Sequence, residues 1–226
     1  MKGVIIIRNR LDSILDDYNE YLKEDFPNSL FLKNYKKKKL NKVVSNSFKT
    51  LELIDLYRNH EKLNDEEKKL LDLIYESVLR FIYIMPLGDR FLYNALERNI
   101  SEAILRLFIL MFDDQKRYND IKEMSYKKIK ETLNEYPESK ISQHKDILIF
   151  FKQKFGESSK VLHGKEIKTI DFLHSLQRKN ICCNIKTLME FTNNLLDVFQ
   201  KNIPLIYNLD QTQYSTSQIS ILNMLT

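Results

Sequence analysis

Apolar residues recur every three or four positions along most of this chain, the spacing that gives a helix one apolar face. Near the N-terminus they form an amphipathic stretch of Leu11, Ile14, Leu15, Tyr18, Tyr21 and Leu22. The same spacing further along predicts helices over 47–60, 64–85, 86–112, 124–136, 142–163, 167–177 and 185–203. The helix over 86–112 is apolar on nearly every side, which predicts that it is central and buried.

The predicted helix ends agree with this pattern. Asn64 is followed by Glu66 and Glu67, a cap with acidic residues in the first turn, and Pro86 ends one helix and begins the next. The whole chain has four Gly and four Pro, whereas sheet proteins of this length need many turns built from these residues. We therefore expect an all-α helical bundle, with an arm over 1–44, the bundle over 45–203 and a tail over 204–226.

The overall charge adds one candidate surface. The net charge is +5, from 36 basic and 31 acidic residues, which is typical of a solvated surface and also compatible with nucleic acid. A run of lysines, which repel one another, predicts a loop or a frayed helix end; it comprises Lys36, Lys37, Lys38 and Lys39. This run is either a solvated linker or a nucleic-acid-binding patch that contacts phosphate.

The cysteines and the apolar runs exclude several classes of protein. Cys182 and Cys183 are adjacent, so a disulfide between them would be strained, and their spacing fits no zinc site. They are typical of buried thiols in a reducing compartment, which favours a cytoplasmic protein. No apolar run reaches the ~18 residues that a membrane span needs. The sequence also lacks a glycine-rich nucleotide loop and metal-ligand spacings, so no metal, cofactor or membrane association is predicted.

Three charged residues stand out on the helix over 86–112. Arg98, Glu102 and Arg106 are spaced by four, so they fall within roughly 80° of one another around the helix axis. Apolar positions share that side, and a buried charge without a partner costs several kcal/mol. We therefore expect Arg98 and Glu102 to pair. The pair is either an internal ion pair that fixes helix packing or part of a polar site.

A second motif lies at the end of the helix over 142–163. Ser159 and His163 are four residues apart, and Gly164 follows. A histidine is favoured at a helix C-terminus by the helix dipole, and a glycine there allows the left-handed turn that ends the helix. The segment is either a packed, capped helix end or one side of a polar site.

Together the two motifs resemble those of HEPN (higher eukaryote and prokaryote nucleotide-binding) domains. Many bacterial members have an Arg-xxx-Glu pattern on one helix and a Ser-xxx-His-Gly ending on a later one. This chain has Arg98-Asn99-Ile100-Ser101-Glu102 and then Ser159-Lys160-Val161-Leu162-His163-Gly164. The similarity covers about residues 48–199. It implies a HEPN-like bundle from a bacterial antiphage-defence (abortive-infection) or toxin–antitoxin system, which acts as a homo-oligomer or with a partner protein and binds RNA or that partner.

The motif of the HEPN nucleases is missing from this chain. Those enzymes place an arginine four to six intervening residues before a histidine, but the matching positions before His163 hold Gly156, Glu157 and Ser158. We therefore predict one polar cluster of Arg98, Glu102, Ser159 and His163, with Arg106 at its edge, that recognises or stabilises and does not catalyse.

Two alternatives remain open at the level of sequence. One is a divergent metal-independent ribonuclease, in which His163 is the general base and Arg98 or Arg106 stabilises the charge on the phosphorane. The other is a pure protein-interaction subunit that binds its partner through the tail or the lysine-rich arm.

Overall fold

The computed structural model describes residues 2–35, 38–163, 185–209, 214–216, 218–219 and 222, and these contain helices and turns with no strand. The all-α prediction is confirmed for this part of the chain. The described α-helices are α1 (Lys2–Asp25), α2 (Leu30–Tyr35), α3 (Lys38–Arg58), α4 (Asp65–Ile84), α5 (Arg90–Phe112), α6 (Tyr118–Lys122), α7 (Tyr126–Glu135), α8 (Glu138–Ile141), α9 (Lys145–Leu162), α10 (Ile185–Asp197) and α11 (Ile203–Ile206). None of the described helices has the length and apolarity needed to cross a membrane.

Helix α4 begins at the predicted capping residue. The side-chain oxygen of Asn64 accepts hydrogen bonds from the backbone N–H groups of Glu66 at 2.9 Å and Glu67 at 3.0 Å. The Glu67 carboxylate in turn accepts the backbone N–H of Asn64 at 2.8 Å. This reciprocal pair of bonds satisfies donors that the start of a helix otherwise leaves without partners.

Removal of this cap should destabilise the protein measurably. We expect Asn64→Ala to lower the free energy of unfolding by about 1 kcal/mol, because both N–H groups lose their acceptor. Urea denaturation followed by circular dichroism measures the change. Asn119→Ala, at an exposed position of α6, is the matched control and should change stability little. Equal stability of the two variants would contradict the role of the cap.

The start of α5 differs from the prediction. Pro86 lies in a short 3₁₀ turn over Met85–Leu87, and Gly88 follows with φ of 63°, so α5 begins only at Arg90. A left-handed residue cannot continue a helix, which separates α5 from its predicted start. Burial also differs along α5, since Phe91 is 55% exposed whereas every residue from Leu107 to Phe112 is buried. The helix is therefore central only in its second half.

Other helix boundaries differ from the predicted ones by a few residues. Helix α3 begins at Lys38, so Lys38 and Lys39 of the lysine run lie in its first turn. Helix α9 begins at Lys145, after a 3₁₀ turn, and α10 ends at Asp197, where a π-turn over Val198–Asn202 follows. The predicted helix over 167–177 and the cysteines lie outside the described residues.

The chain divides into two compact units. The first comprises the described residues of 1–56, 82–90 and 169–226, and the second comprises those of 57–81 and 91–168. In the first unit, the Tyr18 hydroxyl donates to the Ile82 carbonyl at 2.9 Å, and the Asn46 amide donates to Asn193 at 2.6 Å. The arm, bundle and tail defined from the sequence remain predictions.

The second unit contains both motif segments. Its core includes an edge-to-face contact of Phe81 with Tyr93, at 5.4 Å between ring centroids. Phe108 and Phe112 both pack against His144 at 5.7 Å. These aromatic contacts are part of the packing around α5.

Candidate functional site

The two motif helices, α5 and α9, are in direct contact within the second unit. The guanidinium carbon of Arg98 lies 5.0 Å from the centroid of the Phe155 ring. Glu97 immediately precedes Arg98 and Ser158 immediately precedes Ser159, and the Ser158 hydroxyl donates to the Glu97 carboxylate at 3.3 Å. The Arg-xxx-Glu and Ser-xxx-His segments therefore lie on neighbouring helices.

Glu102 pairs with Arg106, whereas we expected it to pair with Arg98. The Glu102–Arg106 ion pair is 2.8 Å long, and the two side chains are 20% and 15% exposed. Arg106 also donates to the carbonyl of Met124 at 3.2 Å. A glutamate that precedes a basic residue by four is the better helical orientation, because it agrees with the helix dipole. The local geometry of the helix therefore favours Arg106 over Arg98 as the partner.

Arg98 packs on an aromatic ring instead. Its Nε atom is buried and makes no hydrogen bond among the described residues. The Phe155 ring that it contacts is itself stacked on Tyr126, at 3.8 Å between centroids and 17° between planes. The Tyr126 hydroxyl donates to the backbone carbonyl of Lys152. This arrangement joins α5, α7 and α9, and a planar guanidinium is suited to it because it stacks on ring faces.

Ser159 and His163 are not joined to the arginines by hydrogen bonds in the described structure. The Ser159 hydroxyl is buried without a hydrogen-bond partner, whereas the His163 side chain is exposed. His163 follows the last residue of α9, and its backbone N–H donates to the Ser159 carbonyl at 3.0 Å. It is therefore a helix-end residue, and the predicted contacts of its imidazole with Arg98 and Glu102 are absent from the described residues.

Sequence reasoning missed the most deeply buried carboxylate of this region, Glu97. Glu97 is 8% exposed, and Lys154 and Ser158 on α9 are 7% and 1% exposed. Burial raises the pKa of Glu97 to about 7, against the opposing effects of the Lys154 charge and the Ser158 hydrogen bond. The spacing of Glu97 from Tyr93 and Ile100, both buried, was a signal that could have revealed it.

The Lys154 ammonium group makes its ion pair elsewhere. Its nitrogen lies 3.0 Å from the Glu157 carboxylate, which is 47% exposed. The hydrogen bonds that Glu157 accepts from Gln153 and Lys154 lower its pKa, although burial acts in the opposite direction. Glu97 and Glu157 therefore lie near one lysine and have opposite pKa shifts, because only Glu97 is deeply buried.

The lysine run is only partly covered by the structure. Lys36 and Lys37 lie outside the described residues, whereas Lys38 and Lys39 form the first turn of α3. Cations at a helix N-terminus are disfavoured by the helix dipole, so Lys39 contributes nothing favourable to α3 through that dipole. Their predicted contact with phosphate remains a prediction.

Taken together, the site residues form a packed polar region in which both arginines are held by protein groups. Glu102 and the Met124 carbonyl hold Arg106, and Phe155 holds Arg98. Within the described ranges, no group of three or more His, Cys, Asp and Glu side chains is placed to hold a metal ion. Comparisons with protein-family models, with curated proteins and with solved structures find no match to this chain.

Proposed function

We propose that this chain is a HEPN-like module of a bacterial antiphage-defence or toxin-type system, and that it binds RNA or a partner protein without cleaving RNA. The proposal is supported by the contact between the two helices that carry the HEPN-like motifs, through Arg98 on Phe155 and Ser158 on Glu97. The polar residues of those helices contact one another inside the bundle. We therefore expect RNA or the partner protein to bind the surface around them.

The observation that favours binding over catalysis is the way the arginines are held. Arg106 donates to the Met124 carbonyl and pairs with Glu102, and both side chains are at most 20% exposed. Arg98 packs on Phe155. A nuclease of this kind needs a guanidinium free to bind the scissile phosphate next to a histidine that accepts the 2′-hydroxyl proton. The two candidate arginines are engaged by the protein instead.

The other ligand in this proposal is a partner protein, either a different protein or a second copy of this chain. Among the described residues of the first unit, three large apolar side chains are exposed: Tyr83 at 53%, Leu87 at 42% and Leu205 at 50%. A bound partner protein would remove such side chains from water.

The exposure of His163 favours the ribonuclease as the second candidate function, and one substitution separates the two. Under our proposal, His163→Ala leaves RNA intact as the wild type does. If His163 were a general base, the substitution would lower the rate of RNA cleavage by ~10²–10⁴-fold, the typical contribution of such a base. The measurement incubates purified wild-type and variant protein with total RNA and with tRNA in EDTA.

Thermal melts of both proteins serve as the control. A variant that melts normally shows that any change in cleavage reflects chemistry and not unfolding. Robust cleavage by the wild type that disappears in a normally melting His163→Ala protein would overturn the binding proposal and establish a metal-independent ribonuclease.

A further inference from the structure

One side of α9 carries a series of basic residues, an exposed isoleucine and an unexplained glycine. At about 100° per residue, these positions fall within roughly 80° of one another around the helix axis. We refer to this side as the α9 lysine face, and it comprises Lys145, Ile149, Lys152, Gly156, Lys160 and His163. The face ends at the histidine of the Ser-xxx-His motif.

Within the described structure, nothing requires a glycine at position 156. It lies inside α9, where glycine is the poorest helix former apart from proline. A Cβ atom built at this position has nothing within 4 Å, so no neighbouring group within the described structure excludes a side chain. Within the described structure there is therefore open space beside the helix backbone at Gly156, between Lys152 and Lys160. A ligand that must approach the helix closely would account for it, because glycine allows such an approach.

The charges around this face are mostly positive. The Lys152 amine donates to the neutral side chain of Asn134 at 2.8 Å, and burial and then the charge of Lys130 lower the pKa of Lys152. Lys130 itself lies 5.7 Å above the Tyr126 ring and is exposed. Lys130 of α7 and Lys152 of α9 are therefore close enough for their charges to interact, and no described carboxylate forms an ion pair with Lys152.

Among the described residues, the carboxylates that act on this face are Glu138 and Glu157, near its two ends. Lys145 lies 3.5 Å from Glu138, in an ion pair whose side chains are 59% and 68% exposed. The charge of Lys160 acts on Glu157, which also pairs with Lys154. The Lys145–Glu138 pair is exposed on both sides, and exposed pairs of this kind contribute little to stability.

The positive charge of the α9 lysine face favours a chain of phosphates over a second copy of this protein as its ligand. A second copy bound through the same face would place lysines against lysines, which repel. A flexible chain of phosphates offers repeated negative charges, and Lys152 and Lys160 lie about 12 Å apart along the helix axis. Lysines that neutralise phosphates release counterions and so supply affinity.

We propose that the α9 lysine face binds the phosphodiester backbone of single-stranded RNA, with Gly156 at the point of closest approach. This inference rests on the proposed RNA-binding function and names the surface that performs it. Ile149, which is 52% exposed, supplies an apolar contact for a sugar or a base between two of the lysines. None of these contacts reads the hydrogen-bonding edge of a base, so the binding is independent of base sequence.

The test is fluorescence anisotropy of the full chain with a labelled 20-nucleotide oligouridine, at several salt concentrations. We expect Lys152→Gln and Lys160→Gln each to weaken binding several-fold and to lower the slope of log affinity against log salt by about 0.7. Lys69→Gln is the matched control, since it removes the same charge from an exposed lysine of α4 in the same unit, and it should bind like the wild type. The DNA oligomer of matching sequence is measured in parallel.

Gly156→Ala gives an independent readout. Alanine is the best helix former, so this variant should melt about 2 °C higher than the wild type, yet bind RNA more weakly. Gly156→Gln should bind more weakly still, because its side chain covers the backbone. An increase in stability together with a loss of affinity distinguishes blocked approach from misfolding.

The outcomes separate this inference from the function on which it rests. If the wild type binds RNA and the variants of the face bind equally well, the surface is wrong and RNA binding stands. If the wild type binds no RNA, or binds DNA alone, both the surface and RNA as the ligand are overturned.

Discussion

Replacing Glu97 with glutamine is expected to raise the free energy of unfolding by about 3 kcal/mol at pH 8. Burial raises the pKa of this carboxyl group from 4.5 to about 7, and one unit of pKa corresponds to about 1.4 kcal/mol. Above pH 7 the folded protein must keep a buried negative charge that the unfolded chain exposes to water. Glutamine has no charge, and its side-chain oxygen can still accept the hydrogen bond from the Ser158 hydroxyl.

The direction in which stability changes with pH depends on whether the folded or the unfolded state binds the Glu97 proton more tightly. Because the folded pKa is the higher one, the folded state holds the proton more tightly than the unfolded state between pH 4.5 and about 7. Stability of the wild type therefore falls as pH rises through this window and levels off above it. The stabilisation by Glu97→Gln should accordingly shrink to about 1 kcal/mol or less at pH 5. Urea denaturation of both proteins at pH 5, 6.5 and 8 measures this dependence.

Glu157→Gln is the matched control, because Glu157 lies beside the same lysine and its pKa is lowered. Its charged form is favoured in the folded protein, so this substitution should decrease stability at pH 8. A loss of stability in Glu97→Gln at pH 8 would contradict our interpretation, since it would mean that the ionised carboxylate is needed beside Lys154.

Phe155→Ala is expected to lower the free energy of unfolding by about 3–5 kcal/mol, the usual range for removal of a buried aromatic ring. Phe155 is 4% exposed, stacks on Tyr126 at 3.8 Å and supports Arg98 at 5.0 Å. The substitution leaves a cavity and removes the contact that holds Arg98 between the motif helices. Both losses affect the same three helices.

The control is Phe91→Ala on α5, where the ring is 55% exposed, and it should change stability far less. Phe155→Leu should fall between the two, because it keeps most of the buried apolar volume without the flat ring. Denaturation midpoints of the three variants measure the order. A Phe155→Ala protein as stable as the Phe91→Ala protein would contradict the packing described for this site.

Local features of the sequence predicted part of the site. The four-residue spacing placed Arg98, Glu102 and Arg106 on one side of α5, and that placement agrees with the burial of the Glu102–Arg106 pair. It did not identify which arginine Glu102 binds, because both are four residues away. The helix dipole favours Arg106 as the partner of Glu102, and Arg98 packs on the Phe155 ring instead. That ring lies on a helix more than 50 residues later in the sequence.

The sequence by itself determined the helices, through apolar spacing and the scarcity of glycine and proline, and it determined the start of α4 at Asn64. These features depend on residues within a turn or two of one another, so local chemistry fixes them. Only the tertiary structure decided that Glu97 meets Ser158, that Arg98 packs on Phe155, and that a side chain at position 156 would meet no described group. Helical periodicity states which side chains share a face, whereas the rotation of each helix against its neighbours, set by packing of the whole core, decides what that face meets.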